Sequence, residues 1–268
     1  MQGRLVPPEP DRFQAFPRMR WGDEFTLATE VPVSYIEWIY DVYGADVNPL
    51  TGDLGRIQSR TRETGIAVSS MCGDYFIDRP FLRCSEVERA EREQFLQRLL
   101  RLARQVGIKR VVLPFVDRSR IDSEEEKTVV IEVLREALPT ARESGVELHL
   151  ETALGPSEFA RLLDRLPDSL IKVNYDSGNS ASLGYSPEEE FAAYGNRVGS
   201  VHIKDRVLGG GTVPLGTGDA NFPAVFAALE RICYRGEITL QVARSVADQE
   251  VDWARRNRGF VEQYWSLA

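Results

Sequence analysis

Four apolar, strand-like runs of this chain end on polar side chains, three of them able to bind a hard metal ion and one of them neutral. They are Glu151 closing VELHLE (146–151), Asp176 closing IKVNYD (171–176), His202 within SVHIKD (200–205) and Gln241 closing EITLQ (237–241). Each run would otherwise be plain core, and each is followed by turn residues and a helical stretch. Two carboxylates and an imidazole from separate strands make a mixed oxygen and nitrogen site for a divalent cation. Their irregular spacing suits ligands from distinct strand–helix units and excludes a local finger or EF-hand loop. Taken singly, Glu151 also reads as a rim salt bridge, Asp176 as an Asx turn in Asp-Ser-Gly-Asn, and His202 as a hydrogen-bonded core histidine. It is the joint pattern that points to a metal centre. Gln241 can coordinate through its amide oxygen but cannot take up a proton in the working range, so it is not a general base.

Such residues need elements to carry them, and strand-like and helix-like segments alternate along the whole chain. Strands are expected over 2–6, 33–39, 65–72, 108–115, 145–151, 170–176, 198–204 and 236–243. Helices are expected over 23–30, 53–64, 85–106, 123–144, 156–166, 186–196, 221–233 and 246–266. In the third helix Phe95, Leu96, Leu99, Leu100 and Leu102 recur at helical spacing, and Gly107 supplies the stop. The fourth opens on a Ser-x-x-Glu capping box, Ser123 and Glu126, and ends at Gly145. Eight such units predict a (β/α)8 TIM barrel, one domain over 1–268. An open doubly wound sheet would require Gly-x-Gly-x-x-Gly after an early strand, and none is present. Gly209-Gly210-Gly211 lies late and reads as a flexible loop. Barrel sites occupy the C-terminal ends of strands. That rule gathers Glu37 to Asp41, Cys72 to Tyr75, Pro114 to Asp117, Glu151, Asp176 to Asn179, His202 to Arg206 and Gln241 to Arg244 at one rim. Carboxylates clustered there call for a neutralising cation.

Bulk properties narrow the partners. A chain of 268 residues with 43% hydrophobic and 28% charged residues is ordinary for a globular protein that buries one large core. A net charge of -8 repels nucleic acid and anionic membranes, so neither is an expected partner. No run approaches the roughly 18 apolar residues of a membrane span. The opening MQGRLVPPEPDR lacks the apolar stretch of a secretory signal, and Cys72, Cys84 and Cys233 are scattered. A cytoplasmic protein with reduced thiols is therefore expected. A homodimer, through helix 246–266 or loop 207–216, is a further expectation.

The stretches ELHLET (147–152), NYDSGN (174–179), VHIKDR (201–206), VPLGTGDANFPAVFAAL (213–229) and YRGEITLQ (234–241) resemble the xylose-isomerase-like barrel superfamily of sugar and sugar-phosphate isomerases and epimerases. SYIEWIYD (34–41) and TGIAVSSMCGDYF (64–76) extend the likeness to the L-ribulose-5-phosphate 3-epimerase and D-tagatose 3-epimerase branch. The resemblance implies a divalent ion held at Glu151, Asp176, His202 and Gln241. Manganese is the expected ion, with magnesium, cobalt and zinc as alternatives. It also implies catalytic roles for Glu151 and Gln241, and a sugar or sugar phosphate as substrate. In the family the first and last of these positions are normally both glutamate and form the acid/base pair, so Gln241 is a departure. Epimerisation through an enediolate needs two proton carriers, or one carrier plus water. Aldose–ketose isomerisation needs one base on one face, which Glu151 could be. An isomerase or epimerase is the first reading. A lyase or dehydratase, an impaired site, and a non-catalytic sugar-binding barrel stay open. A histidine-rich multi-zinc nuclease is disfavoured by only two histidines and the acidic balance. Candidate substrate contacts are Glu37, Cys72, Asn179, Lys204, Arg206 and Arg244, with Trp38 or Phe115 as cavity walls. His149, two residues before Glu151, reads as a core hydrogen-bonding residue or as support for the site. Lys204 and Arg206 read equally as a rim ion pair with Asp205 or Asp219.

Overall fold

The computed structural model describes residues 1–246 and 248–265. Among them, parallel strands β1 (Tyr35–Ile39), β2 (Ala67–Cys72), β3 (Arg110–Phe115), β4 (Glu147–Thr152), β5 (Ile171–Asp176) and β6 (Val198–Ile203) follow one another around a sheet. A two-stranded antiparallel ribbon, β7 (Asp205–Arg206) and β8 (Thr212–Val213), intervenes before β9 (Ile238–Leu240) pairs with β6. This is a nearly closed barrel of seven parallel strands. Every residue of β3, RVVLPF, is buried, as expected of a parallel strand covered on both faces.

The helices are α1 (Trp21–Ala28), α2 (Leu54–Thr64), α3 (Tyr75–Asp78), α4 (Glu86–Val106), α5 (Glu124–Ser144), α6 (Pro156–Asp164), α7 (Ser177–Leu183), α8 (Pro187–Tyr194), α9 (Phe222–Arg231) and α10 (Glu250–Glu262). Leu96, Leu99 and Leu100 of α4 are buried, whereas Phe95 and Leu102 pack at the edge of the core. The complete capping box belongs to α4: Glu88 N–H donates to Ser85 Oγ, and Ser85 N–H donates to Glu88 Oε2. At α5 only half of the expected box forms. Ser123 Oγ accepts from Glu126 N–H, but the Glu126 carboxylate is taken by Asp122 N–H and Arg83. The short helices α3 and α7 were not expected; both occupy the rim, where they replace loops. The three late glycines form the turn of the ribbon, and the Arg206 guanidinium grips the Gly210 carbonyl at 2.7 and 3.0 Å.

The first expected strand, 2–6, shrinks to a single parallel bridge between Gln2 and Glu37. Gln2 N–H donates to the Leu240 carbonyl of β9 at 3.1 Å, and Glu37 N–H donates to the Met1 carbonyl at 2.9 Å. The first residues thus fill the gap between β9 and β1. Three features stop the strand there. Gly3 has φ +46, and a Cβ on it would stand 2.6 Å from Ile39 Cδ1. The N–H groups of Leu5 and Val6 turn out of the ladder onto the Glu24 carboxylate, both at 3.2 Å. Pro7 has no N–H at all. The expected strand 236–243 ends at Leu240, and the expected helix 246–266 is α10; residues 247 and 266 lie outside those described. Among the described residues no helix is long and apolar enough to cross a membrane.

Candidate metal and substrate site

Alternation along a strand points every second side chain inward. On β4, β5 and β6 this brings Glu151, Asp176 and His202 together at the C-terminal mouth, each offering one ligating atom within 4.8 Å of the others. His202 Nδ1 lies 3.5 Å from Glu151 Oε2 and 3.9 Å from Asp176 Oδ2. All three residues are buried. The two oxygens of Asp176 do different jobs. Oδ1 caps α7, accepting from Gly178 N–H at 2.9 Å and Asn179 N–H at 2.8 Å, which is the Asx turn read in Asp-Ser-Gly-Asn. Oδ2 has no hydrogen bond of regular geometry, although Lys204 Nζ stands 2.9 Å away in a salt bridge. Lys204 lies directly over the start of α7, where a Cβ on Gly178 would meet its Cγ at 2.6 Å. His202 Nδ1 and Gln241 Oε1 are likewise buried without a hydrogen-bond partner. Unpaired buried polar atoms cost about 1–3 kcal/mol each. His202 Nδ1 and Asp176 Oδ2, with a Glu151 oxygen within 4.8 Å, make an oxygen and nitrogen donor set that fits a divalent cation, and Gln241 Oε1 is a further unpaired oxygen at the same cavity.

Glu151 is held on both sides. Asn174 Nδ2 donates to its Oε2 at 2.7 Å and Asn179 Nδ2 to its Oε1 at 2.6 Å. Behind it runs a buried chain: Ser200 Oγ donates to Asn174 Oδ1 at 2.6 Å and lies 2.7 Å from His149 Nδ1. His149 is therefore core and site support together, linked to Glu151 through two intermediaries. Burial holds its imidazole below the ordinary range. Beside His202, Glu37 Oε1 lies 2.8 Å from Nε2, in a contact too bent for a regular hydrogen bond. Burial alone would lower the His202 pKa, but the Glu37 and Glu151 carboxylates outweigh it and raise the value to about 10. The same pairing, with a hydrogen bond from Ser70 Oγ, overcomes burial at Glu37 and draws its carboxyl down to about 2.

Above this floor opens a cavity of about 490 Å³, within the usual range for small-molecule sites. Glu151, Gln241, Cys72, Asn179, Lys204 and Arg206 line it. Arg206 Nη1 donates to Asn179 Oδ1 at 2.9 Å, while Asp205 and Asp219 accept backbone N–H groups of the following loop. Neither aspartate forms the rim ion pair considered from sequence.

Two expected substrate contacts lie apart from the residues lining this cavity. Glu37 is 1% exposed and spent on His202, Ser70 and Gln2, so it holds the His202 ring and is not among the residues lining the cavity. Arg244 turns the other way, donating to the Val6 and Phe13 carbonyls and pinning the N-terminal segment. Trp38 packs with Phe16, Trp21 and Phe25, and Phe115 with Phe81; neither walls the cavity. Residues missed from sequence are Asn174, Ser200 and Gln14, whereas Asp74 falls within Cys72 to Tyr75, which the sequence places at the rim without giving Asp74 a role. The first two were detectable, because each stands two residues before a candidate ligand on the same strand face.

A family model described as xylose isomerase-like TIM barrel matches residues 25–264. The chain belongs to that family. Its relatives include a putative L-ribulose-5-phosphate 3-epimerase of Escherichia coli (strain K12), 25% identical over 249 residues and 87% of each chain. An inosose dehydratase of Clostridium perfringens is 26% identical over 179 residues, 58% of this chain and 60% of the relative. Among solved structures, an IolI protein with a bound zinc atom superposes with a TM-score of 0.76 at 18% identity, over 93% of this chain and 95% of that one. That last likeness is one of fold.

Proposed function

We propose that this chain is a divalent-metal-dependent isomerase or epimerase acting on a ketose, ketose phosphate or similar polyhydroxy carbonyl compound. The observation that carries the reading is the convergence of Glu151, Asp176 and His202 beneath a small-molecule-sized cavity, with His202 Nδ1 and Gln241 Oε1 buried without hydrogen bonds. Relatives named as sugar epimerases support enzyme activity on a small sugar. Glu151, Asp176 and His202 would hold the ion, with Gln241 as a neutral fourth ligand. A zinc atom in the related IolI structure supports a divalent ion without selecting manganese. When bound, the ion would polarise the carbonyl and hydroxyl oxygens of the substrate.

The chain's own groups supply the rest. Glu151, fixed by Asn174 and Asn179, takes the proton from the carbinol carbon beside the carbonyl. Lys204 and Arg206 hold substrate oxygens, and Cys72 and Asn179 shape the wall. Gln241 orients a hydroxyl and moves no proton. A dehydratase is the second reading, favoured by the inosose dehydratase relative; it begins with the same proton abstraction.

The test is deuterium uptake from heavy water into a panel of ketoses and ketose phosphates, with Mn²⁺, Co²⁺ or Zn²⁺ supplied. Exchange that needs metal and falls by about 10²–10⁴ in Glu151→Gln is expected. Ligand-induced thermal shift without exchange on any sugar would make the chain a sugar-binding barrel instead.

A further inference from the structure

The neutral amide at 241 leaves the site one proton carrier short for inversion at carbon, and the cavity wall holds a candidate. Asp74, just beyond β2, lines the same cavity as Glu151 and Gln241. Its strand position lies two strands from that of Glu151, roughly a quarter of the way around the mouth. Its carboxyl is held by neutral groups: Gln14 Nε2 donates to Oδ2 at 2.6 Å and the Cys72 thiol to Oδ1 at 3.0 Å. Gln14 is in turn oriented by Arg4, which is 2% exposed; its Nη2 donates to Gln14 Oε1 at 3.1 Å and its Nε to the Val242 carbonyl at 3.0 Å. A partly buried chain of hydrogen bonds thus runs from the Val242 carbonyl, next to Gln241, through Arg4 and Gln14 to Asp74. No cation bonds to the Asp74 carboxyl directly. Burial pushes its pKa up to about 6, aided by Asp41 and Glu151 and opposed by the hydrogen bonds from Gln14 and Cys72; Arg4 is the nearby positive charge.

Resting on the isomerase or epimerase reading, we propose that Asp74 is the second proton carrier of this site, delivering a proton to the substrate face that Glu151 does not serve. Glu151, as carboxylate, takes the carbinol proton, and the C–H electron pair moves into the carbonyl to give an enediolate. Asp74, as carboxylic acid, returns a proton to the same carbon from its own side, and the carbonyl re-forms. Glu151 then carries the abstracted proton and Asp74 is ionised. Water removes the first proton and resupplies the second, so atoms and charge balance over a turnover.

Two rates measured in heavy water on L-ribulose and D-tagatose separate the roles. Deuterium appearing in recovered starting ketose reports Glu151, and deuterated epimer reports inversion. In Asp74→Asn, inversion is expected to fall by at least 10²-fold, while exchange into starting ketose falls by less than tenfold. Asp74→Glu should recover part of the inversion. Gln14→Leu keeps the carboxyl but removes its amide donor; a roughly tenfold loss of inversion with smaller loss of exchange is expected, and this variant carries the test if Asp74→Asn fails to fold. Equal loss of both rates, or loss of neither, overturns the role of Asp74. Absence of exchange in the unaltered protein overturns the proposed function itself, and the role of Asp74 with it.

Discussion

If Gln241 completes the proposed ligand set, Gln241→Glu is a nearly isosteric change that adds one charge beside Glu151, Asp176 and His202, whose candidate ligand atoms lie within 4.8 Å of one another. At an effective dielectric of about 20, two unit charges about 5 Å apart interact by roughly 3 kcal/mol. In chelator-treated protein the new carboxylate meets two such repulsions, offset largely by the Lys204 ammonium and the His202 imidazolium. A net loss of about 1–3 kcal/mol remains, which lowers the melting temperature by about 2–9 °C in a chain of this size. With a divalent cation the sign reverses, because a formal carboxylate replaces a dipole. Affinity for Mn²⁺ should rise by about 10²–10³, or roughly 3–4 kcal/mol. Calorimetric titration of both proteins at pH 7.5, with melting curves before and after metal addition, reads all three quantities. Mn²⁺ affinity within threefold of the unaltered protein, together with an unchanged melt after chelation, would refute the placement of Gln241 in the ligand set.

His202 gives a pH signature: its pKa of about 10 exceeds the ordinary value of 6.5, so the folded chain binds that proton more tightly than the unfolded one. Its contribution to stability is complete below about pH 6.5 and is lost as pH rises through about 10, so melting temperature after chelation should decline over that window. Because ligation requires the neutral imidazole, divalent binding should tighten by up to about tenfold per pH unit between about pH 7 and 9. Glu37→Gln removes the carboxylate 2.8 Å from His202 Nε2. It should flatten that pH slope and, by loosening the ring, weaken metal binding by about 10–100-fold; an unchanged slope would show that Glu37 does not govern the ring. Arg244→Ala deletes hydrogen bonds to Val6 and Phe13. It should lower the melting temperature by a few degrees while leaving KM for any ketose substrate unchanged, and a raised KM would return Arg244 to the cavity.

How far the chain could be read from sequence follows from what each residue depends on. Seven of eight strands and the main helices were legible because their apolar periodicity and stops, such as Gly107 and Gly145, are local. The first strand was not, since its loss depends on Glu24 capturing the Leu5 and Val6 amides and on Gly3 crowding Ile39. Glu151, Asp176 and His202 could be found because strand ends in a barrel converge whatever the loops do. Glu37 sits on a strand too, but whether it faces the substrate or the back of His202 is decided by depth along the barrel axis. Sequence does not carry that depth. Asp74 and Gln14 come from loops, where partner choice is a tertiary matter; Gln14 meets Asp74 only because Arg4 reaches across to Val242.

The proposed site separates two duties that a glutamate at position 241 would combine. Glu37 is committed to His202, so in the proposed site Glu151 and Asp176 are the carboxylates that would face a divalent ion and balance its charge without help from position 241. The further acid stands instead at Asp74, among the cavity-lining residues. If ligation and proton return are divided in this way, moving the carboxyl back should be a compensating change. Asp74→Asn combined with Gln241→Glu should invert at least tenfold faster than Asp74→Asn alone, although Gln241→Glu alone changes inversion far less. Epimer formation by the four proteins of this cycle, at saturating Mn²⁺, measures the coupling directly. Independent losses, with the double variant no faster than Asp74→Asn, would mean that the two positions never serve the same proton.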